Sequence, residues 1–446
     1  MIDQILNKKL LFIGIHIFLG YLVTFLPISK IYTLLFFIFS IYTLYITKNE
    51  DEEVLYFSSY LIGAEVFMRM TGGTFLHETG KYGIILFILM GLFVGASKQK
   101  PTVTYIIYMM LLLIGIMFTQ VPEGESIRNN IAFNLSGPVM LGIVSLYFYK
   151  RPITISQLKQ SLFICLLPMF AMISFVYFRT PDLSELVFGA VSNYYTSGGF
   201  GPNQVATIVG YGAFILGVFL FIREKMSFYI FLDAAFLIYF IYRGLLTFSR
   251  GGMLTAGIAF LSFAIFILVY QKVTFIKISK YIFISLSLLL GIWLYTSNVT
   301  GGMIDNRYAG RNSIGKKKKD VTAGRGKIFD AQLESFYESP VFGIGVGNGK
   351  YKRIESGAHV TAASHNEVSR LIEEHGSLGI IALLILLITP LENILYSNNY
   401  QRAFLFSFYL FKIYCFNEIE YITYLYYFYN FCHINTILNI QFFQFL

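Results

Sequence analysis

One feature constrains this chain more than any other: apolar stretches of about 18 to 22 residues recur along it, each long enough to cross a hydrocarbon core of about 30 Å. Short loops carrying a few lysines or arginines separate them. A soluble helical bundle is excluded, because these stretches lack the polar stripe that such helices present to water. Only 13% of the 446 residues are charged, against roughly 25% in soluble domains. The chain reads as an all-α, polytopic integral membrane protein. Spans are expected at roughly 10–28, 31–47, 54–70, 81–97, 102–120, 131–149, 160–178, 203–222, 226–248, 251–270, 275–296, 376–397 and 403–429, about twelve or thirteen in all.

The first apolar stretch follows Lys8 and Lys9, runs too long for a signal-peptide core and ends without an A-x-A-like site, so a retained span is expected. With the N-terminus in the cytoplasm, Lys48, Lys98, Lys100, Lys150, Arg151, Arg223, Lys225, Lys272, Lys277 and Arg402 all face inward, as the positive-inside rule asks. The net charge of +9 is thus explained by membrane orientation, and no nucleic-acid partner is implied. Segments 179–202 and 297–375 and the junction at Arg250 then lie outside. The lysine run Lys316–Lys319 does not overturn this, since long loops translocate largely regardless of charge. The chain divides into membrane helices at 1–200, further membrane helices at 201–296, an external helical loop at 297–375, a span and turn at 376–402, and a tail at 403–446. That tail lacks Gly, Pro and Val; it is either a last aromatic span or a stretch read in a shifted frame. The three cysteines have neither disulfide-framework nor zinc spacing.

Chemistry concentrates in "SHNEVSRLIEEHGSLG", Ser364 to Gly379. Ser364 followed by Glu367 forms a capping-box pattern, so a helix is expected to start at His365. At that end the helix dipole disfavours imidazolium and unpaired amides can hold an anion; the plainer reading is a solvated histidine at a cap. His359, His365 and His375 with Glu373 and Glu374 could be a metal cluster, but they match no metal motif, and adjacent glutamates are ordinarily a wet helix face. No metal is expected. Arg250 in "LTFSRGGML" sits at phosphate depth beside Ser249, Gly251 and Gly252. Either it is a snorkelling anchor or its small neighbours let a ligand approach its planar fork. Arg325 in "AGRGKIFD" precedes an amphipathic run. "SPVFGIGVGNG", Ser339 to Gly349, matches no nucleotide motif and reads as a flexible turn.

His365-Asn366, nine residues, then Gly376-Ser377-Leu378-Gly379 resembles the H-[N/S/Q]-x9-G-x-x-G signature of the O-antigen ligase and polymerase superfamily. Arg250 with Leu254 resembles its R-x3-L element, and "GPNQVA" at Gly201–Ala206 is similar to a segment that precedes it. The likeness covers roughly 200–397. It implies a membrane-embedded glycosyltransferase of the C type in the bacterial cytoplasmic membrane, with an extracytoplasmic site. Such an enzyme moves a glycan from a polyprenyl diphosphate to an acceptor hydroxyl. Residue by residue, it implies catalysis by His365 and diphosphate binding by Arg250 and Arg325, supported by Ser249, Gly251, Ser364 and Asn366. No cofactor is expected, because the donor already carries its leaving group. The rival is a transporter or flippase of lipid-linked sugars, which would show intramembrane charge pairs or two related halves; the charges read as confined mostly to loops.

Overall fold

The computed structural model describes residues 8–76, 78–95, 102–270, 275–318, 320, 324–355, 366–396, 402, 405–407 and 432–433. His359, Ser364 and His365, and nearly all of the tail, lie outside these residues.

Twelve helices coincide with the first twelve expected spans: α1 Lys9–Phe25, α2 Ser29–Thr47, α3 Glu53–Met70, α4 Thr79–Val94, α5 Val103–Ile114, α6 Ile127–Phe148, α7 Ile155–Arg179, α8 Pro202–Phe221, α9 Ile230–Leu246, α10 Arg250–Tyr270, α11 Phe275–Val299 and, from the external loop onward, α15 Glu367–Tyr396. Among the described residues of that loop, three short helices occur: α12 Met303–Tyr308, α13 Arg325–Glu338 and α14 Gly349–Glu355. Among the described residues, seven helices are long and apolar enough to cross a membrane, and α1, α4 and α5 are shorter apolar helices. Among the described residues, extended structure is limited to the two-residue strands Arg151–Pro152 and Cys432–His433, paired in parallel, and one bridge between Arg311 and Lys317. The protein is an all-α, polytopic membrane protein.

Helix α7 is the hub: α1 and α3 pack along it, and α8 joins it to α9 and α10. Glycine lets these backbones meet. A Cβ on Gly20 would fall 2.1 Å from the Ala171 carbonyl oxygen, and one on Gly63 would fall 2.0 Å from that of Cys165. Where lipid removes the hydrophobic drive between helices, such small-residue contacts let van der Waals packing hold them.

Not all charge lies in loops. On α3 and α4, Glu65 and Lys81 are each 1% exposed; Lys81 Nζ meets Glu78 Oε1 at 2.8 Å and donates to Ser136 Oγ at 3.2 Å. The charges read as confined mostly to loops thus include a buried ammonium on α4, which pairs with Glu78 three residues before it and with Ser136 of α6.

Candidate active site

The C-end of α9, the N-ends of α8 and α10, and the loop after α11 come together at one end of the bundle. Helix α9 stops at Leu246 and the chain turns through Phe248 at a φ of +57°. Asn193 N donates to the Thr247 carbonyl at 2.9 Å, and Thr196 Oγ1 donates to that of Leu246, so loop 187–197 is laid across the turn. Phe188 stacks on Phe248 with centroids 5.6 Å apart. Ser249 is buried and donates to Asn203 Oδ1 at 2.8 Å, which fixes α10 against the start of α8. Arg250 is the first residue of α10 and half-buried.

The glycines after Arg250 were expected to admit a ligand. Gly252 instead admits α8: a Cβ there would lie 2.5 Å from Thr207 Cα, and one on Gly210 would lie 2.6 Å from the Gly252 carbonyl. Helix contact, not ligand access, requires the small residue.

Two basic residues that sequence reasoning did not single out flank Arg250. Arg307, on α12, donates from Nε to the Phe248 carbonyl at 2.8 Å and from Nη2 to Ser192 Oγ at 3.2 Å. Lys318 donates from Nζ to the Ala190 carbonyl at 2.7 Å. Burial lowers the Lys318 amine below its ordinary value, and the positive charges of Arg307 and then Arg250 lower it further. Tyr308 packs edge-on against Trp293. Burial raises its phenol to about 12, against the pull of Arg250 and Arg307. The phenol is therefore a neutral donor at any physiological pH. A signal for Lys318 did exist in the run Lys316–Lys319, but a run does not say which lysine turns inward.

Arg325 stands exposed as the first residue of α13, after Gly324, whose amide donates to Asp320 Oδ2 at 2.7 Å. Gln332 of α13 accepts from Ser369 Oγ at 2.7 Å and donates to Glu373 Oε2 at 2.8 Å. Just beyond α13, the Pro340 carbonyl accepts from Ser377 N at 2.8 Å. Contacts thus advance in the same direction along both helices. Helices α13 and the first part of α15 run parallel, and Arg325 lies at the same end of the pair as Asn366.

The expected helix start shifts by two residues. Helix α15 begins at Glu367, and Asn366 Oδ1 accepts from Val368 N at 3.0 Å and Ser369 N at 3.4 Å. Asn366 therefore caps α15, and asparagine is among the best caps. The adjacent glutamates are no wet face either. Glu373 is 1% exposed and pairs with Arg353 Nη1 of α14 at 3.3 Å, while Glu374 and His375 are also buried. His375 lies against Gly115, where an added Cβ would sit 2.3 Å from its Nδ1. Among the described residues no group of three metal-ligating side chains gathers.

A family model for O-antigen ligase matches residues 234–384. Over these residues the chain is similar to that family. No curated protein and no solved structure matches the chain. The matched region begins within α9 and ends within α15, so it contains Arg250, Arg307, Lys318 and Arg325, but not the Gly201–Ala206 segment, where the resemblance was expected to begin.

The kink of α15 explains the first glycine of the G-x-x-G pattern. Gly376 kinks α15 at φ +59° and ψ −138°, a region open essentially only to glycine. The kink takes the Ser377 amide away from its helical acceptor, the Glu373 carbonyl. That carbonyl accepts instead from Ile344 N at 3.0 Å, and the Glu374 carbonyl from Gly345 N at 3.1 Å. The segment Ser339–Gly349, expected to be a flexible turn, is the packed loop that makes these bonds. Gly343, Gly345 and Gly347 all have positive φ and press on Glu374, on Phe118 with Thr119, and on Asn130 with Asn134, respectively.

Proposed function

We propose that the protein is a membrane glycosyltransferase that moves a glycan from a polyprenyl diphosphate carrier to an acceptor hydroxyl on the outer face of the bacterial cytoplasmic membrane. The family match supports an O-antigen ligase or polymerase type of transferase. One structural observation carries the finer reading. Arg250 opens α10 at the rim of the bundle, within electrostatic reach of Lys318 and Tyr308 on the external loop, rather than snorkelling alone toward lipid.

In this reading the roles follow from the chemistry. Arg250 and Arg325 hold the diphosphate, whose oxygens suit a planar fork bidentately. They also stabilise the charge that develops as the anomeric carbon–oxygen bond breaks. His365 takes the proton from the acceptor hydroxyl, a contribution of about 10²- to 10⁴-fold. Attack by that hydroxyl directly on the anomeric carbon inverts its configuration. A glycosyl diphosphate is already activated, so the transfer requires no ATP, and the arginines supply the positive charge that a metal would otherwise bring. Asn366 supports the histidine by capping α15, and Ser249 supports Arg250 through Asn203.

Transport of lipid-linked sugars is the second reading, and the buried Glu78–Lys81 pair with Glu65 favours it. The two separate in detergent, where no membrane is left to cross. Purified protein given a polyprenyl diphosphate-linked glycan and an acceptor should release polyprenyl diphosphate and extend the acceptor. A protein that binds the donor, leaves it intact in detergent, and moves it between leaflets in vesicles is a transporter.

A further inference from the structure

Helix α6 carries Pro138 in its interior, and proline has no N–H to offer the carbonyl four residues before it. That carbonyl belongs to Asn134, so its own helix leaves it without the usual donor. Arg370 of α15 supplies one: Nη2 donates to the Asn134 carbonyl at 3.0 Å. Tyr108 of α5 donates to the carbonyl of Pro138 itself at 3.1 Å. Two carbonyls of one proline turn thus join α5, α6 and α15, and Arg370, Tyr108 and Pro138 are all buried. A proline inside a helix weakens that helix; here the carbonyl it leaves open is put to use.

Arg370 Nη2 also pairs with the carboxylate of Glu367, the first residue of α15. Its backbone amide donates to the Asn366 carbonyl at 3.0 Å. One residue therefore holds the cap and the opening turn of α15 and fastens both to α6. A turn earlier on α6, Asn130 donates to the Val346 carbonyl at 3.3 Å, and Gly347 presses on Asn130 and Asn134. Helix α6 backs the glycine loop and the start of α15 alike. Ser369 is held separately, by Gln332 of α13.

We propose that Arg370 is a positioning residue for glycan transfer: bonded to the Asn134 carbonyl that Pro138 leaves open, it fixes the Asn366 end of α15, next to which the base stands in the chain. This deepens the proposed function and rests on it for the identity of the base. Arg370 itself touches neither donor nor acceptor in this account. Its Nη2 has two N–H groups, one for the carbonyl and one for the carboxylate, and the flexible point charge of lysine does not reproduce that fixed geometry. Catalytic groups need their supports held to within about 0.5 Å, and a misplacement of about 1 Å costs up to about a hundredfold in rate.

The test uses the full-length protein in lipid nanodiscs, with a polyprenyl diphosphate-linked glycan and an acceptor. Pro138→Ala supplies the missing N–H and draws the Asn134 carbonyl back toward its own helix while leaving Arg370 in place. Arg370→Lys keeps the positive charge beside Glu367 and loses the fork. Thermal transitions establish that each variant is folded. Three quantities are read: the transfer rate at saturating donor, donor affinity, and hydrogen exchange of the amides at 367–370 against those at 380–386 of the same helix. Each variant should lower the saturated rate by about tenfold to a hundredfold, leave donor affinity nearly unchanged, and speed exchange at 367–370 alone. The double variant should be little slower than either single one, because both act on the same bond. Wild-type transfer in the folded variants, slowed transfer beside unchanged exchange at 367–370, losses that multiply in the double variant, or donor affinity falling in step with rate would each overturn this inference and leave the proposed function standing. A wild-type protein that binds the donor and transfers nothing overturns the proposed function, and with it the catalytic part of this one, even where exchange quickens in the variants.

Discussion

Replacing Gly376 by alanine tests whether the kink in α15 is required. At φ +59° and ψ −138° an added Cβ would lie 2.6 Å from Gly343 N, 2.7 Å from the Val341 carbonyl oxygen and 2.8 Å from that of Pro340. All three are backbone atoms of the packed glycine loop, so no flexible side chain can swing aside. The strained backbone conformation costs about 1–3 kcal/mol. Overpacking against that loop adds about 1–3 kcal/mol, giving a loss on the order of 2–6 kcal/mol. For a chain of this length that corresponds to a fall of roughly 2–6 °C in the thermal transition. Gly14 and Gly291 lie in helices with nothing within 4 Å of an added Cβ, and alanine there should be neutral or slightly stabilising. The assay is thermal unfolding of purified protein in one detergent, with glycan transfer measured alongside. Gly376→Ala should lose both stability and transfer. A Gly376→Ala protein as stable as Gly14→Ala would refute the argument that the kink is imposed by the loop behind it.

Three further outcomes are expected. Arg250→Lys should lose most transfer activity while inserting and accumulating normally, because bidentate geometry and not charge alone is proposed to hold the diphosphate; near-normal turnover would reduce Arg250 to an anchor. Glu373→Ala removes the carboxylate that Arg353 meets and should cost about 3–5 kcal/mol in thermal unfolding, whereas Glu373→Gln, which retains an oxygen for hydrogen bonding, should cost less; wild-type stability in Glu373→Ala would deny the ion pair its role. The Lys318 amine is lowered by burial and by Arg307 and Arg250, so it gives up its proton at a lower pH than an ordinary lysine. Its acylation by an amine-specific reagent should therefore outpace that of the exposed Lys317 as pH is lowered; equal rates at every pH would contradict the lowered value.

Membrane spans were legible because an apolar run of sufficient length has few alternatives to a helix in lipid. Local features near the site were less so. The start of α15 at Glu367, capped by Asn366, was not legible because Ser364 and Asn366 are both good caps and sequence alone does not choose between them. Glu373 and Glu374 looked like a wet face, and became interior only when α13, α14 and the glycine loop closed over them. That closure depends on Gln332, Arg353 and Ile344, each many residues away. The glycines of Ser339–Gly349 signalled unusual backbone but not what the backbone would touch. Arg250 was found from its small neighbours and its place between two spans, although one of those neighbours, Gly252, proved to serve helix packing. Arg307 and Lys318 went unnoticed because their grouping with Arg250 is made by loop 187–197, which meets them only in three dimensions.

The central claim is transfer from a polyprenyl diphosphate with His365 as the base. It is tested most directly by giving purified wild-type and His365→Ala protein the same polyprenyl diphosphate-linked glycan and acceptor, and measuring donor binding, released polyprenyl diphosphate and extended acceptor in one reaction. Wild-type protein should release one polyprenyl diphosphate for each glycan transferred, with activity falling at acid pH as the base is protonated. His365→Ala should bind the donor nearly as well and transfer nothing. Transfer by His365→Ala at the wild-type rate, or a wild-type protein that binds the donor and never releases polyprenyl diphosphate, would contradict the account.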